Sequence, residues 1–216
     1  MTLTRSAILL VLLAGVAFLG PARADEVYNN LGASGASVDT PGSDWGPLAN
    51  SFSTGSSAMD LTSLTVILEG TPSDGTTTAY LLSDSSTSPG DILETIGTFS
   101  EADLSSEPAL YTLATSYILS PDSRYWIELT SDDNSAGWQW TSDASGVGVA
   151  GEFFASFQGS GMWNVFTNAN GPYQMEVEGT AVPEPSALLL LLLGVGTLVW
   201  FSARRRLASS EGPAAG

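Results

Sequence analysis

Short runs of apolar and β-branched residues, separated by polar turns, fill the middle of the chain. The clearest is YQMEVEGTA, where tyrosine, methionine and valine alternate with glutamine and two glutamates. Alternation with a period of two is typical of a half-buried strand. Runs of this kind cover residues 61–69, 76–82, 92–99, 111–119, 124–130, 137–141, 152–158 and 173–180. The pattern predicts an all-β, antiparallel β-sandwich of the jelly-roll kind. A closed barrel is the alternative, and residues 100–104 predict one short helical turn.

The two ends of the chain have a different pattern. Residues 1–24 combine one early arginine, Arg5, with an apolar stretch over 8–19 and the tripeptide Ala-Arg-Ala at 22–24. Basic residue, short apolar stretch and small-residue cleavage site together predict a secretory signal peptide. An N-terminal membrane helix is disfavoured because the apolar stretch is short and ends at Gly20-Pro21.

The C-terminal end contains a tripeptide, an apolar stretch and a basic cluster in that order. A helix over about 187–203 would be about 25 Å long, which predicts a short transmembrane helix with flanking arginines. Positive charge at its end predicts that this end stays cytoplasmic, with residues 25–181 outside. The tripeptide is Pro183-Glu184-Pro185, and the cluster is Arg204, Arg205 and Arg206.

This arrangement resembles the PEP-CTERM sorting signal of bacterial surface proteins. The resemblance implies recognition of residues 182–206 by an exosortase, a membrane protease-transpeptidase, and an association with exopolysaccharide. Residues 207–216 would then form a cytoplasmic tail. The two prolines also keep the segment around Glu184 extended, which suits a protease cleft.

The composition of the exported part excludes several kinds of partner, crosslink and catalytic site. Of the 23 acidic residues in the chain, 21 lie within 25–182, where Arg124 is the one basic residue. Such a strongly acidic surface disfavours nucleic acid and anionic lipid as partners. The chain has no cysteine and no histidine. Disulfides, thiolate sites and a Ser-His-Asp triad are therefore excluded.

The order of landmarks in the exported part resembles the choice-of-anchor family of bacterial surface domains. Those landmarks are ANSFSTG, LTSLTVILEG, AYLLSD, SPG and SPDSRYWIEL. The resemblance implies a surface location and carries no biochemical role with it.

Two local patterns suggest binding sites. Trp138 and Trp140 fall on one face of a strand, which is either an exposed platform for stacking on sugars or part of the core. The acidic loop that follows residue 130 offers Asp132, Asn134 and Asp143 as calcium ligands, or it is a polar hairpin turn.

The sequence therefore predicts an exported, non-catalytic structural or adhesive protein within an exopolysaccharide matrix, with no required cofactor. The predicted partners are the secretion translocon, signal peptidase, an exosortase-type enzyme and extracellular polysaccharide. A carbohydrate-binding module, with or without calcium, is the first alternative. A glycan-cleaving enzyme is the second, since it would need only two facing carboxylates.

Overall fold

A computed structural model describes residues 24–42, 46–158, 161–182, 194–198 and 200. The chain divides into two units, residues 1–181 and 182–216, and the β-structure belongs to the first. Twelve strands are found among the described residues. They are β1 Asp25–Asn29, β2 Gly35–Asp39, β3 Leu48–Ser53, β4 Met59–Gly70, β5 Thr76–Asp84, β6 Pro89–Ser100, β7 Ala109–Leu119, β8 Arg124–Ser131, β9 Ala136–Thr141, β10 Phe153–Gln158, β11 Met162–Thr167 and β12 Met175–Ala181.

The first sheet is built around β4. Its order is β1-β12-β4-β9-β2, and β7 pairs with β4 outside this path. Because β4 has 12 residues, one edge of it pairs with β12 over residues 59–66 and then with β9 over residues 68–70, while its other edge pairs with β7 over residues 59–68. A second sheet has the order β11-β10-β3-β8-β5-β6. All the strand pairs in both sheets are antiparallel.

The two sheets share one hydrophobic core. Leu61, Leu64 and Val66 of the first sheet are fully buried in the same cluster as Leu81 and Ile127 of the second. Face-to-face burial of alternate residues is what drives two such sheets together. The all-β, antiparallel prediction is thus confirmed, and the strands form two sheets rather than one closed barrel.

The predicted strands correspond to β4 through β10 and β12, with ends that differ by a few residues. The predicted helical turn is a 3₁₀ turn at Glu101–Asp103. Strand β3 coincides with the landmark ANSFSTG. Strands β1, β2 and β11 were not predicted. β1 and β2 have five residues each and carry few apolar side chains. β11 lies between two glycine-containing segments that both read as turns.

The predicted signal peptide, except Ala24, lies outside the described residues. Of the predicted transmembrane helix, residues 194–198 and 200 are described, and they are helical. Among the described residues, no helix is both long and apolar enough to cross a bilayer.

Candidate functional site

Strand β9 places its two tryptophans on one face, and that face points into the core. Trp138 is 0% exposed, its indole Nε1 donates to the Gln174 carbonyl oxygen at 3.0 Å, and its ring stacks on Tyr173 with centroids 4.7 Å apart. Trp140 is half-buried and packs against the same core. A sugar ring cannot reach Trp138 without separating the sheets, so its role here is packing.

A second apolar cluster lies on the opposite face of the second sheet. In β8, Tyr125, Ile127 and Leu129 belong to the main core, whereas Trp126 belongs to this second cluster. Successive strand residues point to opposite faces, so β8 is buried on both sides. We call this cluster the outer cluster. Its buried members are Ala49, Leu82, Trp126 and Ala155, and its half-buried members are Tyr80, Phe153, Trp163 and Val165.

Two carboxylates lie at the outer cluster: half-buried Asp84, which accepts the Trp126 indole N–H at 2.9 Å, and buried Glu128. Glu128 is paired in register with Ala49 of β3 and Tyr80 of β5, and it is 7% exposed. The structure gives its carboxylate no hydrogen-bond partner among the described residues. Burial raises the pKa of Glu128 to about 7, because its charged form loses hydration without compensation.

A second buried carboxylate, Glu152, is fully compensated. Arg124 Nε donates to its Oε2 at 2.9 Å, and the hydroxyls of Ser51 and Ser53 donate to its two oxygens. The Arg124 guanidinium also donates to the Gly151 carbonyl oxygen at 3.2 Å, and it lies over the Phe153 ring. Arg124, the one basic residue within residues 25–182, is therefore held in an intramolecular ion pair with Glu152. This arrangement leaves it poorly placed to bind an external carboxylate.

Three carboxylates meet beside the 3₁₀ turn. Ligand oxygens of Glu101, Asp132 and Asp133 all lie within 4.8 Å of one another. Glu101 is 0% exposed, and its oxygens accept hydrogen bonds from the hydroxyls of Thr77 at 2.7 Å and Ser73 at 3.3 Å. Clustered carboxylate oxygens are ligands that a divalent cation such as calcium can use.

The three residues suggested by the sequence as calcium ligands do not come together. Asp132 and Asn134 precede β9, whereas Asp143 follows it, and six extended residues span about 20 Å. Asp143 instead accepts the backbone N–H of Ser145 at 2.9 Å, as in a turn. Strand β9 is thus the physical reason why a shared site of these three residues does not form. Asp132 instead lies beside Glu101 and Asp133, and its Oδ1 accepts the backbone N–H of Thr76 at 2.8 Å.

The acidic group is arranged to share a proton. Burial raises the pKa of Glu101, and the neighbouring Asp133 raises it further. The pKa of Asp133 is lowered well below its usual range, chiefly because Glu101 and the backbone N–H of Ser135 donate hydrogen bonds to it. Glu101 therefore holds the proton and Asp133 holds the charge. This explains how a buried carboxyl can sit beside two others without a positive partner.

The predicted sorting residues, Pro183 to Pro185 and Arg204 to Arg206, lie outside the described residues. Sequence comparison identifies this segment directly. Residues 181–206 match the family described as the PEP-CTERM protein-sorting motif. No curated protein matches the chain significantly. The motif indicates an exported protein processed at the membrane by an exosortase-type system. The resemblance of the exported part to choice-of-anchor domains stays a prediction.

Proposed function

We propose that this protein is an exosortase substrate whose exported β-domain has a non-catalytic structural or adhesive role in an exopolysaccharide matrix. The observation that carries the proposal is the match of residues 181–206 to the PEP-CTERM protein-sorting motif. In this proposal a signal peptidase removes residues 1–24 after translocation. The C-terminal segment holds the precursor at the inner membrane, with the β-domain outside, until the exosortase acts.

The composition of the β-domain supports a role that depends on stability and solubility. Its core is formed by the apolar side chains on the facing sides of two sheets, and the chain has no cysteine to crosslink them. The acidic surface disfavours aggregation and repels other anionic polymers at close range. Three buried carboxylates have different surroundings: Glu152 is paired with Arg124, Glu101 lies beside two other acids, and Glu128 lies in the outer cluster. We assign none of them a catalytic step.

The sorting proposal is tested by the intact mass and fractionation of the protein in its native host. The test variant replaces Pro183, Glu184 and Pro185 with alanine. We expect the wild-type protein to lose its tail near residue 183 and leave the membrane fraction. The variant should keep its tail and remain in the membrane fraction.

A matched control is available five to seven residues beyond the matched segment. Glu211→Ala with Pro213→Ala makes the same kinds of substitution outside the matched residues. This control should be processed like the wild-type protein. Full-length protein in the membrane fraction of all three strains would contradict the proposal.

A second candidate function is carbohydrate binding at the cell surface. The observation that favours it is the outer cluster, which places half-buried Trp163, Tyr80 and Phe153 on the face opposite the core. Aromatic faces stack on the C–H surfaces of sugar rings. In this candidate the acidic group of Glu101, Asp132 and Asp133 would hold calcium and fix the nearby loops.

Tryptophan fluorescence during titration with polysaccharide from the host matrix tests this second candidate. If the outer cluster binds glycan, Trp163→Ala should weaken binding at least about tenfold. Phe166→Ala is the matched control, because Phe166 lies on the same strand and stacks on Phe154, away from the outer cluster. Equal binding by both variants, or none by the wild-type protein, would exclude this site.

A further inference from the structure

Strand β7 is a free edge of the first sheet. It pairs with β4 along one side, and no other strand of the described residues pairs with its second side. Its residues alternate between half-buried and exposed along nearly the whole strand. Leu110 is 63% exposed and Ile118 is 58% exposed, one near each end. An edge with unpaired backbone groups and exposed apolar side chains is a template for another strand.

The charge pattern separates β7 from most other edges. Edge strands β1, β2 and β6 carry aspartate or glutamate, and β6 also begins with Pro89. These are the features by which proteins block edge pairing. β7 has eleven residues and no charged side chain, in a chain of net charge −17. β11 is also uncharged but has six residues. β7 is therefore the longest edge without a charge of its own, and the nearby Asp60 carboxylate of β4 accepts the hydroxyl of Ser116 at 3.0 Å.

The sequence of β7 is close to a palindrome. Written ALYTLATSYIL, it reads nearly the same from either end around Ala114. In an antiparallel pair centred on Ala114, Leu110 of one copy faces Ile118 of the other. Tyr111 then faces Tyr117, and Thr112 faces Ser116. β11, with the sequence MWNVFT, places Asn164 opposite Val165 in the equivalent pair. Three of the five facing pairs in β7 join like side chains, whereas one of the three in β11 does, where Trp163 faces Phe166.

We propose that two copies of the exported domain associate through β7, antiparallel and about a twofold axis near Ala114. An isologous contact of this kind needs a self-complementary surface, which the palindrome supplies. The β4–β7 ladder has a bulge between Ala114 and Tyr117, which increases the local twist. The two ends of the strand, where exposed Leu110 meets exposed Ile118, therefore contribute most of the new contact, since Tyr111 and Tyr117 already pack against the main core. This inference concerns the β-domain and does not depend on processing of the tail.

Thiol crosslinking tests the geometry, because the chain has no cysteine of its own. The full chain with Ala114→Cys is expressed in the native host, and intact cells are treated with a mild oxidant. A residue on the twofold axis meets its own copy at about 4.5–5.5 Å between Cα atoms, within the range of a disulfide. We expect a dimer on a non-reducing gel.

Two control positions are exposed on other edges. Asn164→Cys reports on β11, and Ser37→Cys reports on β2. We expect Ala114→Cys to give at least about ten times the dimer of either control. Equal yields at all three positions, or a higher yield from Asn164→Cys, would overturn the proposal.

Charge substitution gives an independent test that does not use thiols. Leu110→Glu with Ile118→Glu places like charges opposite each other in the pair. Leu110→Glu with Ile118→Lys places opposite charges there, with the same number of substitutions. Introduced into the Ala114→Cys chain, the first pair should reduce the dimer at least about tenfold, and the second should largely retain it. Thermal unfolding of each variant establishes that it is folded. Equal loss in both folded variants would overturn the antiparallel arrangement.

Discussion

Glu152 and Glu128 are buried carboxylates close to the same strand, β8, yet they have opposite surroundings. Glu152 accepts from Arg124, Ser51 and Ser53, and its pair with Arg124 measures 2.9 Å. Glu128 has apolar neighbours and no hydrogen-bond partner among the described residues, and its pKa rises to about 7. Two carboxylates of similar burial therefore differ in their partners: Glu152 is paired with a cation and two hydroxyls, whereas Glu128 is mostly protonated below about pH 7.

The comparison shows where polar residues help this fold and where they do not. A buried charge is tolerated when a partner charge and hydroxyl donors replace its lost hydration. The Arg124 pair links the start of β8 to the residue before β10 across β3. The Glu128 side chain forms no such link between strands, and it occupies a position that an apolar residue could fill.

The largest expected effect comes from turning Glu152 into an uncompensated carboxylate. Arg124→Ala removes the cation and leaves the buried charge behind. We expect the free energy of unfolding to fall by about 3–5 kcal/mol at pH 7. Urea unfolding followed by tryptophan fluorescence measures the loss. Arg124→Lys keeps the charge and should lose less, and equal loss in both variants would mean that packing on Phe153 dominates.

The second-largest effect is expected from removing the uncompensated carboxylate of Glu128. The pKa of Glu128 is raised from 4.5 to about 7 in the folded protein. A raised pKa means that this group favours folding below pH 4.5 and that the benefit is lost as the pH rises through 7. Glu128→Gln should therefore raise the free energy of unfolding by about 3 kcal/mol at pH 8, and change it little at pH 4.

The control for this prediction is Glu94→Gln, since Glu94 is an exposed carboxylate on β6. It removes the same charge and should change stability little at either pH. A stability gain for Glu128→Gln that is equal at pH 4 and pH 8 would argue against ionisation as the cause.

The smallest effect concerns Glu101, whose partner is another acid. Because the raised pKa of Glu101 favours its protonated form, which donates to Asp133, Glu101→Gln presents a similar donor and should change the free energy of unfolding by no more than about 1 kcal/mol. If the acidic group binds no cation, adding calcium should leave the unfolding temperature of the wild-type protein and of Glu101→Gln unchanged. A saturable rise in the wild-type protein that Glu101→Gln lacks would instead show that the acidic group binds calcium.

Much of the fold could be predicted from hydrophobic pattern. Alternation in β12 holds in the structure, since Met175 and Val177 are buried and Glu176 and Glu178 lie on the other face. β1 could not be predicted, because Asp25 and Glu26 give it no apolar period. Its place at the edge is set by pairing with β12, and such tertiary pairing overrides local propensity.

The candidate sites were less predictable. The spacing of Trp138 and Trp140 fixes a shared face, but only the packed sheets decide which face is inside. The burial of β8 on both faces did have a signal in the sequence. Its segment RYWIELT is an almost unbroken apolar run, which is typical of a strand buried on both faces. The approach of Glu101 to Asp133 joins residues 32 positions apart and has no local pattern.

The pairing of β1 with β12 has a mechanical consequence. Asp25 lies opposite Gly179, so the chain enters and leaves the β-domain at neighbouring points of one sheet. Tension between these two points would open the β1–β12 ladder one hydrogen bond at a time, which requires little force. Tension between the C-terminal end of β12 and a distant surface would load many ladder bonds at once. A domain anchored at its C-terminal end alone would therefore resist pulling far better than a precursor anchored at both.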